Sequence, residues 1–179
     1  MSWLEGVAVL VAILGIVYTI LENRICWLIN IIASLLYFKV FFGSDLPGQM
    51  LLQLFYVAVG FYGYIHWGKE DRIKIQTFGA LPTLLLFIVS VVSGYVVHTV
   101  MPALLWADAS LTIASIAATY LMSKKYLENW TLWIFINVFS IGLFIFRDLY
   151  LTSALYLAYA ILAFIGYKQW SKRLFVLNL

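Results

Sequence analysis

Trp130, Trp133 and Asn137 stand in the stretch LENWTLWIFIN at spacings of three and four residues. On a helix they share one face. Indole faces attract cations and stack on flat rings, while a primary amide fixes orientation by hydrogen bonds. A flat, cationic, heteroaromatic solute suits such a face. Trp27, Asn30 and Ser34 repeat the aromatic-plus-amide pattern earlier in the chain, and Gln53 and Tyr56 stand three apart further on, with Tyr159 as a later counterpart of Tyr56. Each has a plainer reading. Tryptophan populates the interfacial belts of membrane proteins, which accounts for Trp3, Trp67, Trp106 and Trp170 and competes with a pocket role for Trp27 and Trp130. Asn30 and Gln53 could join helices by a hydrogen bond. Asn137 lies well inside an apolar run, where a polar group is expensive and points to function.

The elements that must position these residues are membrane helices. Of 179 residues, 65% are hydrophobic and only 11% are charged, far from the balance of a soluble domain. Seven apolar runs have the length of a span, about Trp3–Leu21, Trp27–Phe42, Gln49–Trp67, Phe78–Val97, Met101–Ser123, Trp130–Phe146 and Leu149–Trp170. The first lacks a basic region before it and reads as a retained span rather than a cleaved signal. With seven crossings, Arg24, Lys69, Arg72, Lys74, Lys124, Lys125, Lys168, Lys172 and Arg173 share one side, against Lys39 and Arg147 on the other. Positive charge accumulates on the cytoplasmic side, so the N-terminus is expected outside and the C-terminus inside the cell.

The chain also resembles itself. Trp3, Asp45, Tyr56, Gly63, Tyr64 and Trp67 recur as Trp106, Asp148, Tyr159, Gly166, Tyr167 and Trp170, all displaced by 103 residues. ENRICW, from Glu22, recurs as ENWTLW, from Glu128, displaced by 106, so the register at the second and sixth spans is open: Trp27 matches either Trp130 or Trp133. The expected plan is a three-helix repeat over 1–70, a linker with the fourth span over 71–100, and a second repeat over 101–179. Four crossings separate the starts of the repeats, so both run the same way through the membrane, a transporter arrangement with its site between the halves.

Other chemistry is thinly represented. Cys26 is the sole cysteine, and neither His66 nor His98 belongs to a cluster with metal spacing. No phosphate-binding loop of the G-x-x-x-x-G-K-[ST] type and no nucleophile–base pair stands out, so no cofactor and no enzyme activity is expected. Glu22, Asn23, Glu128 and Asn129 begin the second and sixth spans; helix capping explains them, and a gate is the sharper alternative. Glu5 and Asp108, one turn inside the opposite ends, either attract a cationic solute or face water, and Asp45 and Asp148 read as loop residues.

The duplicated plan together with WTLWIFIN, which fits a W-x-x-W-x-x-x-N pattern, resembles the PnuC family of bacterial vitamin transporters over nearly the whole chain. The resemblance implies an all-α integral membrane protein of the bacterial inner membrane with seven helices in a 3+1+3 parallel-repeat plan, similar to that of the sugar-carrying SWEET proteins, and a homotrimer. It implies facilitated diffusion of a vitamin, nicotinamide riboside first and thiamine or riboflavin as alternatives. A cytoplasmic kinase would trap the product. Trp130, Trp133 and Asn137 would hold ring and sugar, with Gln53, Tyr56, Asn30, Trp27 and Tyr159 completing the cavity. A SWEET-type sugar carrier competes, although a hexose needs less indole. A membrane enzyme should cluster ionisable groups in mid-span, and a sensor or a purely structural subunit leaves the duplicated polar face unexplained. Nucleic acid is not an expected partner.

Overall fold

The computed structural model describes residues 3–42, 47–69, 74–102 and 105–177. Asp45 and Arg72 lie outside the described residues. Seven helices follow in order: α1 (Trp3–Ile20), α2 (Ile25–Phe42), α3 (Pro47–Lys69), α4 (Ala80–Val100), α5 (Trp106–Ser123), α6 (Asn129–Phe146) and α7 (Tyr150–Leu177). Five of them, α1, α2, α4, α6 and α7, are long and apolar enough to cross a membrane. The other two have comparable lengths but carry polar side chains inward: Gln49 and Gln53 on α3, and Asp108, Ser110, Ser115 and Thr119 on α5, are all buried. In lipid the backbone must satisfy itself, which helices do. The hydrophobic surplus therefore faces out, as on α4, where Leu81, Leu84, Leu85, Ile88, Val89, Val92 and Val96 are exposed.

Three helices end alike. Glu22, Lys125 and Asp148 adopt left-handed backbone (φ 57°, 55° and 57°), and the residue after each donates its N–H five residues back: Asn23 to Tyr18, Tyr126 to Leu121 and Leu149 to Phe144. This is the Schellman stop without its usual glycine, a conformation that costs a non-glycine residue about 1–3 kcal/mol. The boundaries depart from the apolar runs at two places. The fifth helix starts at Trp106 rather than Met101: Met101 precedes Pro102 and is driven out of the helical region, to φ −128° and ψ 78°. The seventh runs on to Leu177 because Lys168, Lys172 and Arg173 end the hydrophobicity but not the helix.

Helix α1 packs on α2 and α7, α2 on α3, α5 on α3, α4 and α6, and α6 on α7. Paired contacts recur 103 residues apart. Trp27 meets Trp67 edge-on at 5.4 Å and 87°, and Trp130 meets Trp170 at 5.3 Å and 89°. Trp67 Nε1–H donates to the Ser123 carbonyl at 3.1 Å, and Trp170 Nε1–H to the Ile20 carbonyl at 3.3 Å. Gly63 and Gly166 lie so close under Trp27 and Trp130 that a Cβ at either would clash with the indole. In these contacts Trp27 corresponds to Trp130, which settles the open register in favour of 103. The 106-residue match of ENRICW with ENWTLW does not extend to contacts: Glu22 pairs with Lys125 and Arg173, whereas Glu128 accepts the backbone N–H groups of Phe78 and Gly79 at 2.7 and 2.8 Å.

The tryptophan belt needs correcting. Trp3 and Trp106 are exposed, as a belt requires, but Trp67 and Trp170 are 7% and 0% exposed and cross-link helices through the hydrogen bonds above. Glu5 and Asp108 do not face water either: both are buried. Glu5 accepts the Thr152 hydroxyl at 2.8 Å and Asp108 the Gly48 N–H at 3.0 Å.

Candidate functional site

A cavity of about 140 Å³ lies at the centre of the helices. Helix α2 supplies Trp27, Asn30, Ser34, Tyr37 and Phe41 at intervals of three or four, one face over its whole length. Helix α6 supplies Trp130, Trp133 and Asn137, helix α3 Gln53 and Tyr56, and helix α7 Tyr156 and Tyr159. All eight residues singled out as binding candidates line this one cavity. Among the described residues, its lining contains no Asp, Glu, Lys, Arg or His side chain.

Aromatic clusters, here called plugs, stand at the two ends of the lining. Trp27 and Trp130 are buried in an apolar cluster with Ile20, Cys26, Trp67, Ile75, Leu127, Ala163 and Trp170. At the far end Phe41 stacks on Phe144 with centroids 5.7 Å apart and planes 11° from parallel. From Trp27 to Phe41 the α2 axis spans about 21 Å at 1.5 Å per residue. Between the plugs, Tyr56 and Trp133 are tilted neighbours at 6.4 Å, and Tyr156 and Tyr159 at 5.8 Å. These rings present faces, and around them stand the amides of Asn30, Gln53 and Asn137.

Four lining groups are incompletely satisfied. The indole nitrogens of Trp27 and Trp130, the Tyr37 hydroxyl and the Asn137 carbonyl oxygen are buried with no hydrogen-bond partner among the described residues. A buried orphan polar atom is costly, and one on a cavity wall is available to a bound solute. The amide of Gln53 makes only a long bond to the Gln49 carbonyl, at 3.4 Å. Together the site offers ring faces for stacking or for a delocalised cation, with amides and hydroxyls to orient a polar appendage.

The four residues expected at a gate separate. Asn23 accepts the Ile25 N–H at 3.0 Å, an ordinary start to α2. Asn129 is buried and donates to the Tyr126 carbonyl at 2.6 Å. Glu128 straps the start of α4 to the α5–α6 turn, a tie that Gln76 strengthens by donating from its backbone to Lys125 and accepting from Leu127. Glu22 is the one of the four that forms salt bridges, to Lys125 and Arg173. None of the four lines the cavity.

Sequence reasoning missed Tyr37, Phe41, Thr119 and Tyr156 as lining residues. Two signals were present: Tyr37 continues the face of Asn30 and Ser34, and Tyr156 is the 103-residue counterpart of Gln53.

The family model for the nicotinamide mononucleotide transporter matches residues 2–172. The nicotinamide riboside transporter PnuC of Escherichia coli (strain K12) is 28% identical over 205 residues, covering 95% of this chain and 85% of that protein. Its namesake in Neisseria mucosa is 31% identical over 194 residues, covering 96% and 73%. The riboflavin/roseoflavin transporter RibM of Streptomyces davaonensis is 22% identical, covering 80% and 73%. A crystal structure of the vitamin B3 transporter PnuC superposes with a TM-score of 0.80 at 29% identity, covering 96% of this chain and 83% of that one.

Proposed function

The chain belongs to the nicotinamide mononucleotide transporter family, that of PnuC, and from this premise we propose that it carries nicotinamide riboside across the bacterial inner membrane by facilitated diffusion. The observation that bears the proposal is the uncharged aromatic cavity with its orphaned indole N–H groups and Asn137 oxygen. A pyridinium ring placed among Trp130, Trp133, Tyr56 and Tyr159 gains cation–π attraction without a fixed carboxylate. An ion pair in that medium would oppose release. The carboxamide and ribose then have Asn137, Asn30, Gln53 and Trp27 as partners. Transport of a loosely held cation down its gradient needs a trap, which a cytoplasmic kinase would supply by adding a phosphate that this uncharged lining does not match.

The relatives named as nicotinamide riboside transporters are 28–31% identical, which favours the riboside over thiamine. The recurrence of contacts at 103 residues supports two parallel three-helix halves, within 1–70 and 101–179, joined by α4 within the linker 71–100, the SWEET-like 3+1+3 plan. All seven helices would then cross the bilayer with the basic end in the cytoplasm and the N-terminus outside. We assign the assembly as a homotrimer. Calorimetric titration of the detergent-purified protein with nicotinamide riboside, thiamine, riboflavin and glucose tests the substrate. Saturable heat with the riboside alone is expected; binding of glucose, or of none of the four, would overturn the assignment.

A further inference from the structure

At the basic end of the bundle the cavity is bordered by the apolar cluster around Trp27 and Trp130, the tryptophan plug, and one carboxylate ties the helices around that plug together. Glu22, at the end of α1, accepts Lys125 Nζ on Oε2 at 2.7 Å and the Arg173 guanidinium on Oε1. Glu22 and Lys125 are 13–17% exposed at their side chains, so this pair is shielded and its attraction is screened less than that of a surface pair. Lys125 also sits over the Trp67 ring at 4.9 Å. Trp67 holds the end of α5 through Ser123, and Trp170 holds the end of α1 through Ile20. Trp67 and Trp170 in turn press edge-on against Trp27 and Trp130, which line the cavity.

We propose that Glu22, with Lys125 and Arg173, is an electrostatic latch holding the basic end of the transport path closed, and that Trp27–Trp67 and Trp130–Trp170 transmit displacement of the cavity wall to it. The proposal rests on the transporter reading. Opening toward this end must part α1 from α7 and α3 from α5, and the polar ties there include the latch, the two indole–carbonyl bonds and the bond that Lys124 Nζ donates to the Tyr62 hydroxyl at 3.1 Å. Both latch residues on the turns hold left-handed backbone, φ 57° at Glu22 and 55° at Lys125. These helix stops place the two turns, and with them the Glu22 and Lys125 side chains, at the same end of the bundle.

The sole cysteine makes the latch measurable. Cys26 is fully buried inside the plug, beside Trp27 and Ile20. In the intact protein in detergent its alkylation by N-ethylmaleimide reports opening of that end. Glu22→Gln keeps the size of the side chain but leaves Lys125 and Arg173 without a counter-charge. The Cys26 alkylation rate should rise about tenfold, the scale expected for losing a shielded ion pair. Thr152→Val, which removes the Glu5 contact at the opposite end, is the control and should leave the rate unchanged. If Glu22→Gln does not fold, by gel filtration and thermal melt, Lys125→Gln carries the same test. An unchanged rate in the latch variant, or an equal rise in Thr152→Val, overturns the latch. A failure of nicotinamide riboside to bind the parent protein would instead remove the substrate assignment and leave the alkylation contrast to be judged alone.

Discussion

Asn137 shows what a single polar residue can report. It is 1% exposed and its carbonyl oxygen has no partner among the described residues, although the residue stands on a mostly apolar helix. Asn137→Ala removes an acceptor that costs the empty protein free energy, so the melting temperature should hold or rise. Affinity for nicotinamide riboside should fall about tenfold, the scale of one hydrogen bond to a charged ligand. Trp133→Ala removes a ring face and should weaken binding about tenfold or more by calorimetry, again with the fold retained. Trp170→Ala is the contrasting case. A belt tryptophan could be lost cheaply, but Trp170 is fully buried, and its truncation should cost about 3–5 kcal/mol of stability, read as a lowered melting temperature. From sequence, Asn137 was legible because an amide in an apolar run has few excuses. Trp170 was not, because a tryptophan near the end of a hydrophobic run looks the same whether its indole faces lipid or turns inward to a carbonyl.

At the scale of elements, the scarce carboxylates fasten helix ends to one another. Asp108 on α5 accepts the Gly48 N–H at the start of α3; Glu5 on α1 accepts the Thr152 hydroxyl in the first turn of α7; Glu128 accepts two N–H groups where α4 begins. Asp108 and Glu128 supply from another helix what an N-cap residue normally supplies from its own, whereas Glu5 takes a side-chain hydroxyl. Asp108→Ala should therefore destabilise the protein by about 1 kcal/mol, with a corresponding drop in melting temperature. Its effect on riboside affinity should be small, since Asp108 does not line the cavity. The helices were largely readable as apolar runs. What the runs did not reveal was where a polar helix continues, as α7 does past Trp170, or where a proline delays one, as before Trp106. Nor could the runs separate Glu22 from Glu128: both open an E-N-x-x-x-W stretch, and only their packing partners distinguish a tie between helices from a cap.

For the whole molecule, the basic residues Arg24, Lys124, Lys125, Lys168, Lys172 and Arg173 gather at one end of the bundle. A C-terminal reporter that is active only in the cytoplasm should therefore be active, and one active only outside should be silent. The recurrence of contacts at 103 residues was visible in the sequence because the residues involved are rare types with fixed tasks: tryptophans that reach carbonyls and glycines that lie beneath indoles. The Glu22–Lys125 contact joins positions that are themselves 103 apart. Two identical subunits related by a two-fold axis would have to set like against like there, glutamate facing glutamate or lysine facing lysine. Carrying both halves on one polypeptide lifts that restriction and lets each side become the other's counter-ion. Separated fragments divided near α4 should accordingly find each other in preference to their own kind, and neither half should assemble alone into a working pair.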